Sequence, residues 1–299
     1  MRLLLLLAAA CDAVAPPVSR RKLAQTSVAY GSWAGLSTRA GPCAAAAPMR
    51  LTTSFLRRRV DGRNVTLVDL GPGAPDIFYP SYFEGRWSSS STTVAVEAPC
   101  GAQLFGGERN LEAARAEVGT AVDYATLFFR DGRPNAAGAI VADRPFNIRA
   151  LVEATMGTTG DGGKPILRSI PSSANFDANS MKFELSPAGS NGRVYAAAIR
   201  VVSRYVNALD DDNFETVELV RQSISDVGNP LAPPSIKDVE TINLFQRVSD
   251  DIIISTQRTA SFIFPSDPRA AVMADMAGGR AIDLRSYKVE YRRLAPAAA

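Results

Sequence analysis

Beyond about residue 80 the chain alternates apolar and polar residues with a period of two, the signature of strands buried on one face. From Arg193 to Val206, the residues Tyr195, Ala197, Ile199, Val201 and Tyr205 fall on one face, and Arg200 and Arg204 on the other. Ile282 to Leu294 repeats the pattern, with Tyr287, Val289 and Tyr291 opposite Ser286, Lys288, Glu290 and Arg292. In Ile252 to Phe264 the set Ile252, Ile254, Thr256, Arg258, Ala260, Phe262 and Phe264 falls together and reads as the inward face. Val122, Tyr124, Thr126 and Phe128 form a further set, and more strands are expected at Arg86 to Val96, Ala139 to Ala142, Lys182 to Leu185, Thr216 to Ile224 and Lys237 to Arg247. Short turns such as Asp131-Gly132 and Asn191-Gly192 join them. About eight or nine strands with such connections predict mainly antiparallel pairing.

Helical spacing interrupts this pattern in two or three places. Pro145 to Met156 reads as a helix, with Asp143 near its start, Pro in the first turn, and Gly157 just past its end. Its stripe of Ile148, Leu151, Val152 and Met156 suits a plug or cap on a barrel end. Asn110 to Val118 and Pro268 to Met276 are shorter candidates. The predicted fold is therefore mainly β, an antiparallel and closed or nearly closed barrel with two or three short capping helices. It occupies one domain over residues 64–299, with a flexible, Gly-, Ser-, Asp- and Asn-rich insert at 158–179.

The first 63 residues read as an address. Arg2 precedes the apolar run Leu3 to Ala10, and Ala13-Val14-Ala15 follows as a small-residue cleavage site, the layout of a signal peptide. Residues 13 to 60 contain no acid and many Ala, Ser, Thr and Arg, the composition of a transit peptide. Ser19-Arg20-Arg21-Lys22-Leu23 followed by Cys43-Ala44-Ala45-Ala46-Ala47-Pro48 is similar to a twin-arginine export signal, although paired arginines also arise by chance in a basic presequence. Together these signals predict entry into a plastid through the secretory route, ending in the thylakoid lumen. The alternative is plain secretion, with Asn64-Val65-Thr66 as a glycosylation acceptor.

Setting this region aside changes the composition. Ten of the 33 Lys and Arg residues and two of the 30 acids lie in residues 1–63, so the body from Asn64 holds 23 basic and 28 acidic residues, a net of −5. Nothing in that balance suggests nucleic acid. Cys11 and Cys43 also lie in the presequence, and Cys100 alone can form neither a disulfide within the body nor a cysteine metal cage. Past Leu3 to Ala10 no apolar run approaches the roughly 20 residues of a membrane span, so no transmembrane segment is expected in the mature protein.

Phe83-Glu84-Gly85-Arg86-Trp87, opening the first long strand, resembles the Gly-x-Trp start of lipocalins and other calycin barrels. That resemblance implies a calycin-like barrel in which Trp87 closes one end beneath an Arg of the last strand, Arg292 or Arg293. Four segments taken in order are more specific: Tyr79 to Trp87, Gly138 to Asn147, Val239-Glu240-Thr241, and Ser266-Asp267-Pro268 leading into Tyr287 to Tyr291. The set is similar to an uncharacterised family of cyanobacterial and plastid proteins, some of the thylakoid lumen, classed as domain of unknown function 6816. The resemblance implies a plastid setting and no particular reaction.

Much chemistry is excluded by absence. The chain has no histidine, which removes Ser-His-Asp and Cys-His nucleophile pairs, histidine ligands of catalytic zinc, and a proximal haem ligand. There is no Gly-rich phosphate cradle, and Asp210-Asp211-Asp212 reads as a solvated turn. No catalytic residue, metal or cofactor is expected. Arg258, on the face read as inward, needs either a carboxylate, Glu240 first, or an anionic ligand. Asp143, Arg144 and Asn147 suit fixing a helix to the sheet, and Ser88 to Thr93 supply hydroxyls for either a polar cavity or a solvated edge strand. The expected role is an assembly or interaction factor of the photosynthetic apparatus, partnered by thylakoid membrane complexes, with a barrel filled by its own side chains. The alternative is a carrier of a small hydrophobic ligand (a lipid, pigment or tetrapyrrole) lined by Trp87, Tyr195, Ile199, Phe262, Tyr287 and Tyr291 and anchored by Arg258 and Glu240. An enzyme working on Tyr, Arg and carboxylates alone stands third.

Overall fold

Alternating stretches pair into one ten-stranded antiparallel sheet in the computed structural model, which describes residues 76–133, 136–173 and 177–295. The expected presequence over 1–63 and the acceptor at Asn64 lie outside these residues. The strands are β1 (Gly85–Glu97), β2 (Ala121–Arg130), β3 (Ile140–Ala142), β4 (Leu167–Ser169), β5 (Ser180–Leu185), β6 (Tyr195–Ala208), β7 (Asn213–Asp226), β8 (Ser235–Ser249), β9 (Ile252–Ile263) and β10 (Asp283–Arg293). Their order across the sheet is β3-β2-β1-β10-β9-β8-β7-β6-β5-β4. The strand beyond the nine expected is β4. It arises inside the 158–179 insert, where Ile166 is fully buried.

A long twisted sheet curls, and here its two halves meet around a helix. Helices α1 (Ala102–Phe105), α2 (Glu108–Ala116), α3 (Arg144–Met156) and α4 (Pro268–Ala277) accompany the strands. Leu151 and Val152 of α3 pack with Tyr124 of β2 on one side and with Met181, Phe183, Ile199 and Val201 of β5 and β6 on the other. The sheet ends at β3 and β4, so it is a curled half-barrel whose seam is filled by side chains. One end is capped where Phe105, Leu111 and Ala114 meet Val96. At the other end a 3-10 turn, Ser81–Phe83, pushes Phe83 into an aromatic cluster with Tyr79, Phe128, Phe214 and Phe245.

Two face assignments, in β9 and β6, differ from the alternation pattern, and the choice left open at β1 is decided. In β9 the inward residues are Ile253, Ser255, Gln257, Thr259 and Ser261, which pair with the inward residues of β10 from Tyr291 to Asp283. Apolarity selected the wrong face because the outer face also packs, with Ala260 and Phe262 joining Ile242 and Leu284 in a cluster of their own. Next, β1 lies between β2 and β10 and is no edge strand. Its Ser89, Ser91 and Thr93 are buried inward, and the Ser89 and Thr126 hydroxyls lie 2.8 Å apart. Third, a β-bulge between Val201 and Ser203 of β6 shifts the register against β7. An extra residue turns every later side chain to the other face. Tyr205, expected inward, is therefore 41% exposed, and Arg204, expected outward, lies opposite Glu218 inside.

Candidate functional site

A cavity of about 120 Å³ sits at the seam. Ile77, Tyr79, Ala142, Arg144 and Ile148 line it from the β3 side, residues 177–181 with Ile199 and Val201 from the β5–β6 side, and Thr216, Glu218, Thr241, Asn243, Phe245 and Tyr291 from the sheet between. Its polar residues Thr216, Asn243, Thr241 and Glu218 belong to two rows of cross-strand neighbours. Thr93, Tyr287, Gln257, Asn243 and Thr216 follow one another across β1, β10, β9, β8 and β7. Arg285, Thr259, Thr241, Glu218 and Arg204 make the next row, from β10 to β6.

Four charges close the seam. Arg144, at the start of α3, donates from Nη1 and Nη2 to Glu218 at 3.1 and 2.9 Å, and from Nη2 to Asp76 at 2.8 Å. Arg204 donates from Nε to Glu218 at 2.7 Å and from Nη1 to Asn179 Oδ1 at 2.7 Å. It also bonds the Ala178 carbonyl, tying the lead into β5 to the network. Two cations and two anions leave the group neutral. Burial by itself would push the Glu218 carboxyl up, but Arg144 and Arg204 together bring its pKa down to about 2. Burial likewise opposes the charge on Arg144, and Glu218 and Asp76 reverse that and hold its pKa well above the usual value. The phenols facing the cavity stay protonated, since burial raises both Tyr79 and Tyr291, with Tyr124 adding to the effect on Tyr291. With Glu218 and Arg144 held charged and both phenols held neutral, these groups are suited to structure and recognition rather than proton transfer. Among the described residues no group of three or more Cys, Asp or Glu side chains is placed to hold a metal ion.

The residues singled out by sequence divide between three places. Tyr291 and Arg144 line the cavity. Trp87, fully buried, closes the barrel end: its Nε1 donates to the Phe83 carbonyl at 2.7 Å, and the Arg293 guanidinium lies 4.3 Å from the ring centroid. This is the packing implied by the Gly-x-Trp resemblance, with Arg293 rather than Arg292 as the partner. Arg293 also donates to the carbonyls of Glu84, Tyr82 and Asp250 at 2.6, 2.7 and 3.0 Å. Gly85 makes room for it, having φ +117° and a position where a Cβ would stand 3.2 Å from Arg293 Nη1. Tyr287 is buried in the same aromatic core, and Tyr195 in the core under α3.

Glu240 and Arg258 do not reach the cavity. They lie on the outer face, opposite to Thr241 and Asn243, one diagonal step apart through the pairs Glu240–Ala260 and Ile242–Arg258. Phe262 is on that face too. Asp143 caps α3 by accepting from Phe146 N at 3.0 Å. Asn147 imitates a strand partner, accepting from Leu127 N at 2.7 Å and donating to Leu127 O at 3.2 Å, so it fastens α3 to β2. The sequence pattern assigns no site role to Asp76, Tyr79, Arg204 or Glu218. The available signal for Glu218 was a charge in step with Thr216 and Val220 on a buried face; Arg204 was hidden by the bulge.

Residues 71–295 match the family described as Domain of unknown function (DUF6816). The chain belongs to that family. No curated protein and no solved structure matches this DUF6816 chain. Among the described residues no helix is long and apolar enough to cross a membrane.

Proposed function

We propose that this DUF6816 protein is an interaction or assembly factor of the photosynthetic apparatus, working in a plastid at or within the thylakoid lumen. The observation that carries the reading is the small size of the seam cavity. Ordinary ligand sites begin near roughly 300 Å³, and the cavity of about 120 Å³ is far too small for a tetrapyrrole or pigment. Trp87, Phe83, Phe183 and Tyr287 fill interior positions with their own rings. A seam packed in this way favours recognition by surfaces over enclosure of a ligand. The location rests on the apolar run Leu3 to Ala10 and on residues 13–60, which are acid-free and carry many Ala, Ser, Thr and Arg.

The test has two arms. Residues 1–63 fused to a fluorescent protein should carry it into the plastid, and accumulation in the medium would refute the location. Native gels of thylakoid extracts, probed for the endogenous protein, should show it in a complex of defined size that salt or mild detergent disperses. Migration only as a free monomer in every extract would overturn the interaction role.

A further inference from the structure

At the end of the half-barrel capped by α1 and α2, the inner face of the sheet finishes in polar residues. Gln222 of β7 pairs with Lys237 of β8, and Ser261 of β9 lies one diagonal step from Lys237 and directly opposite Asp283 of β10. They keep step with Val220 and Val239, which pack under α3, and with Tyr287 in the aromatic core. Direct neighbours on one face stand about 5 Å apart and diagonal ones about 7–8 Å, within reach of a lysine side chain. The turns bordering this end, 98–101, 227–234 and 264–267, all lie within the described residues. Charge here is unevenly matched. Arg285 donates from Nε to both oxygens of Asp283 at 3.1 and 3.2 Å, and its Nη1 lies 3.5 Å from Glu117. Lys237 has no such partner: none of the described residues forms a hydrogen bond or an ion pair with it. Burial lowers its pKa, with Asp283 opposing that and Arg285 adding to it.

Two donors beside the lysine are also unused. Gln222 Nε2 and Ser261 Oγ, on residues only 2% and 1% exposed, are buried without a hydrogen-bond partner. Native interiors leave few buried donors unmet, and an ammonium, an amide and a hydroxyl side by side on one face mark a place built for an acceptor. We infer that Lys237, Gln222 and Ser261 bind the carboxylate of a small organic acid at the rim of the half-barrel. Lys237 is half-buried, so the rim is open to solvent there. One unpaired cation matches a single negative charge, and the Asp283 carboxylate beside it works against a second. Gln222 and Ser261 lie too deep for an acidic side chain carried on the surface of another protein, which makes the ligand a free acid. The inference goes beyond the interaction-factor reading and does not depend on it.

The probe is acetate, added to the full chain during trace labelling of its lysines with an N-hydroxysuccinimide ester, with the labelling of each lysine read by peptide mass spectrometry. Exposed Lys164, Lys182 and Lys288 are the internal references. Acetate should slow the labelling of Lys237 by about fivefold, saturating in the millimolar range, and leave the references unchanged. Acetamide and chloride at matched concentrations should do nothing, since the first lacks the charge and the second controls for screening. Gln222→Leu removes the buried amide and should raise the half-protecting acetate concentration about tenfold, the equivalent of one hydrogen bond to a charged group. Ser261→Ala should act in the same direction, and the wild-type measurements need no variant to fold. Absence of protection by acetate, equal slowing of all the lysines, or protection by acetamide would overturn the inference. Protection unchanged in both variants would overturn it too, and stronger protection by phosphate than by acetate would overturn the choice of a carboxylate.

Discussion

Replacing Glu218 with glutamine removes one anion from the seam and leaves Arg144 and Arg204 sharing Asp76. Glu218 accepts three charge-assisted bonds, two from Arg144 and one from Arg204, and its side chain is only 18% exposed. Breaking such a pair from one side costs about 3–5 kcal/mol, because the remaining cation stays buried without its partner. Protonation gives a second route to the magnitude. The carboxyl falls from an ordinary 4.5 to about 2 in the folded protein, and at about 1.4 kcal/mol per unit this corresponds to roughly 3 kcal/mol. The sign follows from the depressed value: the folded state binds the proton less well than the unfolded chain. The contribution is therefore complete above pH 4.5 and is lost as the pH falls towards 2. Urea unfolding followed by far-UV circular dichroism, run at several pH values between 7 and 3, tests both parts. Glu218→Gln should be about 3 kcal/mol less stable than the wild type at pH 7, and the gap should narrow steadily below pH 4.5. A gap under about 1 kcal/mol at neutral pH, or one that does not change with pH, would refute the reasoning.

Two further positions make separate claims. Arg293→Ala removes the cation over Trp87 and three bonds to main-chain carbonyls; we expect a loss of about 2–4 kcal/mol in urea unfolding, with red-shifted tryptophan emission as the barrel end loosens. Asn147→Ala orphans the Leu127 amide, while the Leu127 carbonyl keeps its bond from Asp143 N at 2.9 Å; a loss of about 1–2 kcal/mol should come with faster hydrogen exchange in α3 and at the Leu127 amide, and unchanged exchange at Leu127 would count against the clamp.

Much of the architecture was legible because alternation is a local signal. Where one face of a strand is apolar and the other polar, as around Tyr287, Val289 and Tyr291, the inward face follows directly. The rule misled at β9, where the barrel interior is lined by Ser255, Gln257, Thr259 and Ser261 and the outer face packs Ala260 and Phe262. Arg258 and Glu240 were placed inside for that reason. Helix α3 was readable from its cap and its proline, and the tether roles of Asp143 and Asn147 followed from their position. The seam was not readable. It joins Asp76, Arg144, Arg204 and Glu218 from distant parts of the chain, and Arg204 reaches it only through a one-residue bulge that no periodicity reveals.

The bulge decides which way Arg204 faces, and with it how the seam is held. Without the extra residue at Val201–Ser203, strict alternation would keep Arg204 facing solvent. With it, Arg204 spends its charge on Glu218, closing a seam that β5 and β3 leave unbonded. The half-barrel is thus held shut by a residue that strict alternation would have left in solvent. Since Glu218 keeps Arg204 turned inward, the state of that carboxylate bears on both the stability of the seam and the tie from Arg204 to the lead into β5 at Ala178 and Asn179.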